Sequence, residues 1–143
     1  MKLALKEAAK ASVQGEVPVG AVAVFENELL ACDYNRSVQL HDPTAHAELL
    51  VLRRVGKLLS NYRLNNIDIY VTLEPCSMCA GALIWARVRR VIFGTRDEKA
   101  GALVSKVSLL EPGLFNHEVQ VVEGLLGRDC RAIIQNFFSN RRS

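Results

Sequence analysis

The strongest constraint on how this chain can fold is a pair of short motifs that have to meet. His46-Ala47-Glu48 and Pro75-Cys76-Ser77-Met78-Cys79 each stand at the start of a predicted helix, and each of those helices follows part of a predicted sheet. Neutral imidazole and thiolates are zinc ligands, and a catalytic zinc keeps three protein ligands while leaving a position open for water. His46, Cys76 and Cys79 supply three such ligands. The two cysteines are three residues apart, so on a helix they share one face, one turn apart. Helix N-termini carry partial positive charge, which lowers thiol pKa and favours the thiolate. A fold that serves this chemistry brings two helix starts face to face around one Zn2+, which would lower the pKa of a bound water to roughly 7.

Glu48 completes the pattern. In mid-helix, residues i and i+2 do not face each other. At a helix start, side chains lean back toward the N-terminal end, so His46 and Glu48 can both reach a metal lying off that end. Glu48 is read as a proton shuttle rather than a ligand: it takes a proton from water, delivers it to a ring nitrogen and then to a leaving amine. A lone H-x-E arises often by chance, and a lone C-x-x-C is only moderately specific. H-x-E followed by P-C-x-x-C one βα unit later is the signature of zinc nucleobase deaminases.

The rest of the chain supplies the frame. Residues 2–14 hold good helix formers and stop at Gly15. Val19 to Phe25 is a short β-branched apolar run, read as a buried strand; Glu26-Asn27-Glu28 turns, and Leu29 to Cys32 is a second strand. Residues 34–45 form a polar loop. His46 to Leu59 reads as a helix with Thr44 as its N-cap. Ile67 to Leu73 is a strand, and Pro75 sits where a helix can start at no cost, so Cys76 to Arg87 continues as that helix. Val91 to Gly94 is a strand, Val107 to Leu110 one helical turn, Val119 to Val122 the last strand, and Leu126 to Phe138 the last helix. Strands alternating with helices give a mostly parallel sheet covered on both faces, to which the opening hairpin adds an antiparallel strand. The expectation is an α/β fold: a three-layer α/β/α sandwich on a mixed, roughly five-stranded sheet, in a single domain spanning 1–143.

Bulk properties narrow the classes further. Half of the 143 residues are hydrophobic and 23% are charged, which is a globular rather than a disordered profile. The formal net charge of +3 permits a polyanionic partner without demanding one. Four cysteines in a chain of this length do not make a secreted disulfide scaffold. The N-terminus lacks a signal-peptide h-region, and no apolar run approaches the ~18 residues of a membrane span. A cytoplasmic protein without membrane contact is expected.

A longer set of segments carries a resemblance. Glu16-Val17-Pro18-Val19-Gly20-Ala21-Val22, His41-Asp42-Pro43-Thr44-Ala45-His46-Ala47-Glu48, Asn61-Tyr62-Arg63-Leu64, Tyr70-Val71-Thr72-Leu73-Glu74-Pro75-Cys76, Cys79-Ala80-Gly81-Ala82, Val91-Ile92-Phe93-Gly94, Arg96-Asp97, Asn116-His117 and Phe137-Phe138 together resemble the bacterial tRNA-specific adenosine deaminases of the cytidine deaminase-like superfamily. The resemblance spans nearly the whole chain. It implies a homodimer, one Zn2+ per subunit, and an adenosine flipped out of a tRNA anticodon loop and converted to inosine. By motif position it implies that Asn35 contacts the flipped base, that Val19, Gly20 and Pro75 line its pocket, that Asp97 meets neighbouring nucleotides, and that Phe138 and Arg142 form an RNA-contacting C-terminal end. Where the family often has Ala-Gly, this chain has the bulkier Leu103-Val104, and where it usually has Trp-Asn-Arg-Pro, this chain has Tyr34-Asn35-Arg36-Ser37.

Two rival functions share parts of this pattern. A deaminase of a free nucleobase or nucleoside (guanine, cytosine or cytidine) would carry the same zinc motif. A non-catalytic RNA-binding module with a structural zinc would need a fourth protein ligand, and would leave Glu48 without a purpose. Cys32 and Cys130 fit a buried core better than a ligand set. His41 and His117 lack partners at ligand spacing. Trp85 and Phe93 are read as core or interface, and Phe137-Phe138 as either closing the last helix or stacking on RNA.

Overall fold

The computed structural model describes residues 1–142, in the order α1 (Lys2–Val13), β1 (Gly20–Phe25), β2 (Glu28–Tyr34), α2 (Ala47–Leu59), β3 (Asp68–Leu73), α3 (Ser77–Ala86), β4 (Arg90–Thr95), β5 (Gln120–Glu123) and α4 (Gly127–Arg142). One five-stranded sheet runs β2-β1-β3-β4-β5. Helices α1 and α4 pack against each other and the sheet; α2 packs with α3 and against β1 and β2. The three-layer α/β/α arrangement on a mixed sheet is the one the sequence led us to expect. The sheet is less parallel than expected, because β1 runs antiparallel to both β2 and β3, whereas β3–β4 and β4–β5 are parallel.

Local chemistry explains the element boundaries. The hairpin between β1 and β2 turns through Glu26 and Asn27, both at positive φ (49° and 65°), with Phe25 opposite Glu28. Two consecutive positive φ values suit the right-handed twist of a two-residue hairpin. Along α1 the buried stripe includes Ala4, Ala8 and Ala11, small residues that let the helix backbone close onto β1. At Gly20 that approach is so tight that a Cβ would overlap the carbonyl of Ala4 and the amide of Ala8. Helix α2 buries Ala47, Val51, Leu52 and Val55 at helical spacing, and α3 buries Ala80 and Leu83. The two helices end at Ser60 and Arg87, each in the left-handed region. The core joins these stripes to Ile69, Val71, Val91 and Phe93, all fully buried. Each such side chain contributes about 1.5–3 kcal/mol by leaving water.

Several local readings change. The N-cap of α2 is His46, not Thr44, whose hydroxyl instead donates to Asp42 Oδ1 (2.7 Å). Pro75 lies outside α3, one residue before its N-cap Cys76. Residues Val107 to Leu110 form no helical turn: Leu109 and Leu110 pack into the core, and the Leu109 amide donates to the Ala102 carbonyl (2.9 Å). Burial of those leucines competes with the helical period and wins. Cys130 is buried as expected, but Cys32 is only half-buried. Phe93 is core, whereas Trp85 is 82% exposed on α3.

Candidate active site

Sheet register decides what gathers at one edge. Because β1 is antiparallel to β3, its first residue lies beside the last residues of β3, and the Gly20 amide donates to Thr72 Oγ1 (3.2 Å). Tyr34, at the end of β2, lies opposite Gly20. The parallel strands β3 and β4 end at Leu73 and Thr95 on the same side. Val17 to Gly20, Asn35, Glu74 to Cys76 and Arg96-Asp97 therefore emerge together. In α/β sheets the crevice beyond the carboxyl ends of parallel strands is where ligands bind.

The two helix starts converge there. His46 Nδ1 lies 3.6 Å from Cys76 Sγ and 3.6 Å from Cys79 Sγ. Among the described residues these three side chains form a group that could hold a metal ion, their ligand atoms all lying within 4.8 Å of one another. For tetrahedral zinc with bonds of about 2.1 Å to nitrogen and 2.3 Å to sulfur, the nitrogen–sulfur edge is about 3.6 Å, so the donor set fits that ion in both chemistry and spacing. His46 and Cys76 are extended N-caps, which turns their side chains off the helix ends toward each other. Cys79 follows in the first turn of α3.

Electrostatics sort the groups into roles. Hydrogen bonding from Cys79 and then His46 pulls the Cys76 thiol down to about 4, while Cys79, bonded to Cys76 and buried, is pushed up. The hydrogen bond to Cys76 holds His46 above the usual imidazole range. Glu48 is 3% exposed, and burial pushes its carboxyl up to about 7. A carboxyl poised near neutrality has the proton affinity a general acid and base needs at physiological pH.

The remaining sequence-selected residues divide. The Asn35 amide donates to the Val19 carbonyl (3.0 Å), and Asn35 Oδ1 accepts from the Ala47 amide (2.8 Å). Asn35 thus supplies, from a distant loop, the side-chain cap that Thr44 does not. Val19 is buried, and the Cα side of Gly20 is covered by α1. The Pro75 carbonyl accepts from the Ala102 amide (2.9 Å). Asp97 Oδ1 accepts from the amides of Lys99 and Ala100 (3.1 Å each), making its own turn. Asp97 and Phe138 are brought together on a cavity of about 570 Å³ whose walls also include Val17, Leu73, Arg96 and Lys99. Arg142, at the exposed end of α4, does not line it. Of the phenylalanine pair, Phe137 is buried and Phe138 is 44% exposed, so one closes α4 onto the sheet and the other faces outward. His117 is tied down through Nε2 to the Val88 carbonyl (2.8 Å).

Sequence reasoning gave no role of their own to two buried carboxylates, Glu16 and Glu74, that stand in the matched segments. Glu16 accepts from the amides of Val38 (3.0 Å) and Gln39 (2.7 Å). Glu74 accepts from Asp97, Leu103, Val104 and Ser105. Glu74 directly precedes Pro75 and Glu16 stands two residues before Pro18, each next to an apolar stretch, and an acidic residue there is itself a signal, because a buried charge needs partners.

Comparison with known proteins agrees with this geometry. A model of the MafB19-like deaminases matches residues 1–142. The chain is 43% identical over 143 residues to the tRNA-specific adenosine deaminase of Haemophilus influenzae, covering 99% of this chain and 83% of that protein. It is 44% identical over 142 residues to the tRNA-specific adenosine deaminase of Bacillus subtilis, covering 99% of this chain and 88% of that protein. A solved structure from biochemical and structural studies of A-to-I editing by tRNA:A34 deaminases superposes with a TM-score of 0.90 at 43% identity, covering 93% of this chain and 96% of that one. Guanine deaminase from Bacillus subtilis superposes less well, at a TM-score of 0.66 and 27% identity, over 99% of this chain and 91% of that one. The chain belongs to the MafB19-like deaminases and, among them, to the family of the tRNA-specific adenosine deaminases.

Proposed function

We propose that the chain, as a single domain over 1–143, hydrolytically deaminates adenosine to inosine at the wobble position of a tRNA anticodon loop. The observation that carries this reading is the meeting of His46 Nδ1, Cys76 Sγ and Cys79 Sγ beside the buried Glu48 carboxyl. His46, Cys76 and Cys79 would hold one zinc per subunit. When bound, the zinc supplies Lewis acidity that makes water a nucleophile near neutral pH. Glu48 accepts the proton that water gives up, places it on the purine ring nitrogen, and passes a proton to the departing amine; adenine and water become hypoxanthine and ammonia. Asn35 has Oδ1 occupied by the Ala47 amide, so its Nδ2 is the group that donates to the base. Val19, Gly20 and Pro75 frame the base pocket through the strand ends they occupy. Asp97 and Phe138 meet the flanking nucleotides, and Arg142 meets the RNA backbone. A base already presented in a loop costs less to flip than one in a duplex, which suits a small enzyme of modest charge.

The assembly in this reading is a homodimer in the cytoplasm, with the second copy covering the outer face of α2 and α3. That face exposes Trp85 (82%) and Tyr62 (74%) around a groove of about 370 Å³ lined by Leu49, Leu52, Leu64 and Ala86. Exposed aromatics grouped in this way mark interfaces more often than free surface. No helix of the described residues is long and apolar enough to cross a membrane.

The deciding experiment incubates the purified protein with an arginine-type anticodon stem-loop bearing adenine at the wobble position, and reads inosine by sequencing, with and without a zinc chelator. Conversion that chelation abolishes is the expected result. Turnover confined to free guanine, cytosine or cytidine would overturn the RNA substrate and leave the deaminase chemistry standing.

A further inference from the structure

We infer that Glu74 is a positioning residue for the substrate: its carboxylate folds segment 97–105 into the wall of the cavity at the carboxyl ends of β3 and β4. The inference rests on the proposed tRNA reading for what that cavity receives. Glu74 is 2% exposed. Its Oε2 accepts from three consecutive amides, those of Leu103 (3.1 Å), Val104 (2.8 Å) and Ser105 (2.9 Å). Its Oε1 accepts from the Asp97 amide (3.1 Å) and from the Ser105 hydroxyl. Successive amides aimed at one oxygen form an anion-binding concavity, and here the anion belongs to the protein.

The backbone works in the same direction. The Glu74 amide donates to the Thr95 carbonyl (2.9 Å), the Ala102 amide to the Pro75 carbonyl (2.9 Å), and the Gly101 amide to the Asp97 carbonyl (2.8 Å). A Cβ on Gly101 would overlap the Glu74 carboxyl group, so only glycine lets the segment approach this closely. Leu103 is buried in the core and Val104 is half-buried against it, so the bulk of this pair points inward. What faces the cavity is the part between Arg96 and Ala100. A single carboxylate therefore ties both ends of the segment, Asp97 and Ser105, to the residue two positions before Cys76. Without it, four amides and a hydroxyl lose their shared acceptor, and the Arg96–Ala100 wall loses its anchor.

The test measures kcat, KM and zinc content of wild type, Glu74→Gln and Ser105→Ala on the anticodon stem-loop, together with amide hydrogen exchange over 97–105. The glutamine keeps the shape but turns a donor toward the amides. We expect Glu74→Gln to raise KM about tenfold, short of the roughly 10²-fold loss that a misplacement of about 1 Å can cost, with kcat and zinc content retained and exchange over 97–105 faster than in wild type. Ser105→Ala, which removes one donor from a segment that still folds, moves KM the same way by a smaller factor and decides the matter if Glu74→Gln does not fold. An unchanged KM with unchanged exchange would overturn the inference. So would loss of zinc and kcat together, which would make Glu74 a support for Cys76 instead. A wild type inactive on the stem-loop would overturn the tRNA reading alone, because exchange over 97–105 still reports whether Glu74 orders the segment.

Discussion

Glu48 and Glu74 are the same residue type, buried to the same degree (3% and 2% exposed), one in the first turn of α2 and the other just ahead of α3. Their environments drive them apart. Around Glu48 burial dominates, and its carboxyl is pushed up to about 7. Burial opposes ionisation of Glu74 as well, but hydrogen bonds from Ser105, Val104 and Asp97 outweigh it and hold the group below the usual carboxylate range. The difference is how much hydrogen bonding answers burial: at Glu48 its own amide and Cys79 do not offset it, whereas at Glu74 the amides and hydroxyl of segment 97–105 do. Burial by itself therefore does not decide the charge of a carboxyl; the balance between burial and the hydrogen bonds it accepts does.

The largest test of this contrast is Glu48→Gln. It should lower kcat by about 10²–10⁴-fold, the range of a lost general acid–base group, while zinc content and thermal stability stay at the wild-type level. Retained activity would end the distinction. Next is Glu74→Ala, which should lower unfolding free energy by about 2–4 kcal/mol in denaturant titrations, because several buried amides lose their acceptor. An unaffected midpoint would mean that water replaces the carboxylate freely.

The smallest effect expected is a pH effect at a third carboxylate, far from the site. Asp68 is buried, which raises its pKa, but Arg89 (2.9 and 2.6 Å) and Arg90 (2.8 Å) outweigh burial and hold it below the usual carboxylate range. The unfolded chain then binds a proton at higher pH than the folded one. The stabilisation is complete above the ordinary carboxylate pKa of about 3.9 and fades as pH falls through the lowered folded value. Asp68→Asn should therefore lower Tm at neutral pH and flatten its decline in acid, read by circular dichroism between neutrality and strongly acidic buffer. Parallel curves for the two proteins would remove Asp68 from the acid response.

The meeting of His46, Cys76 and Cys79 was legible because residue types that share a ligand chemistry, at the starts of two helices, have to converge for that chemistry to be used. The layered fold was legible from short β-branched runs alternating with helical stripes. What escaped was set by contacts distant in sequence. Asn35 caps α2 twelve residues before Ala47, so local capping rules chose Thr44. The orientation of β1 against β3 is decided by pairing, which periodicity does not encode. Glu16 and Glu74 read as letters of a motif, because their partners are backbone amides that carry no side-chain signature.

One consequence of the exposed face of α3 is optical. Trp85 is the sole tryptophan of the sequence and stands 82% exposed on the helix that also carries Cys79. All intrinsic indole emission therefore originates from one surface point, with no buried tryptophan to mask it. A free subunit should emit at the long wavelength of water-exposed indole, and covering this face should shift that emission to the blue. The protein carries a built-in fluorophore that reports whether this face is covered, without any label.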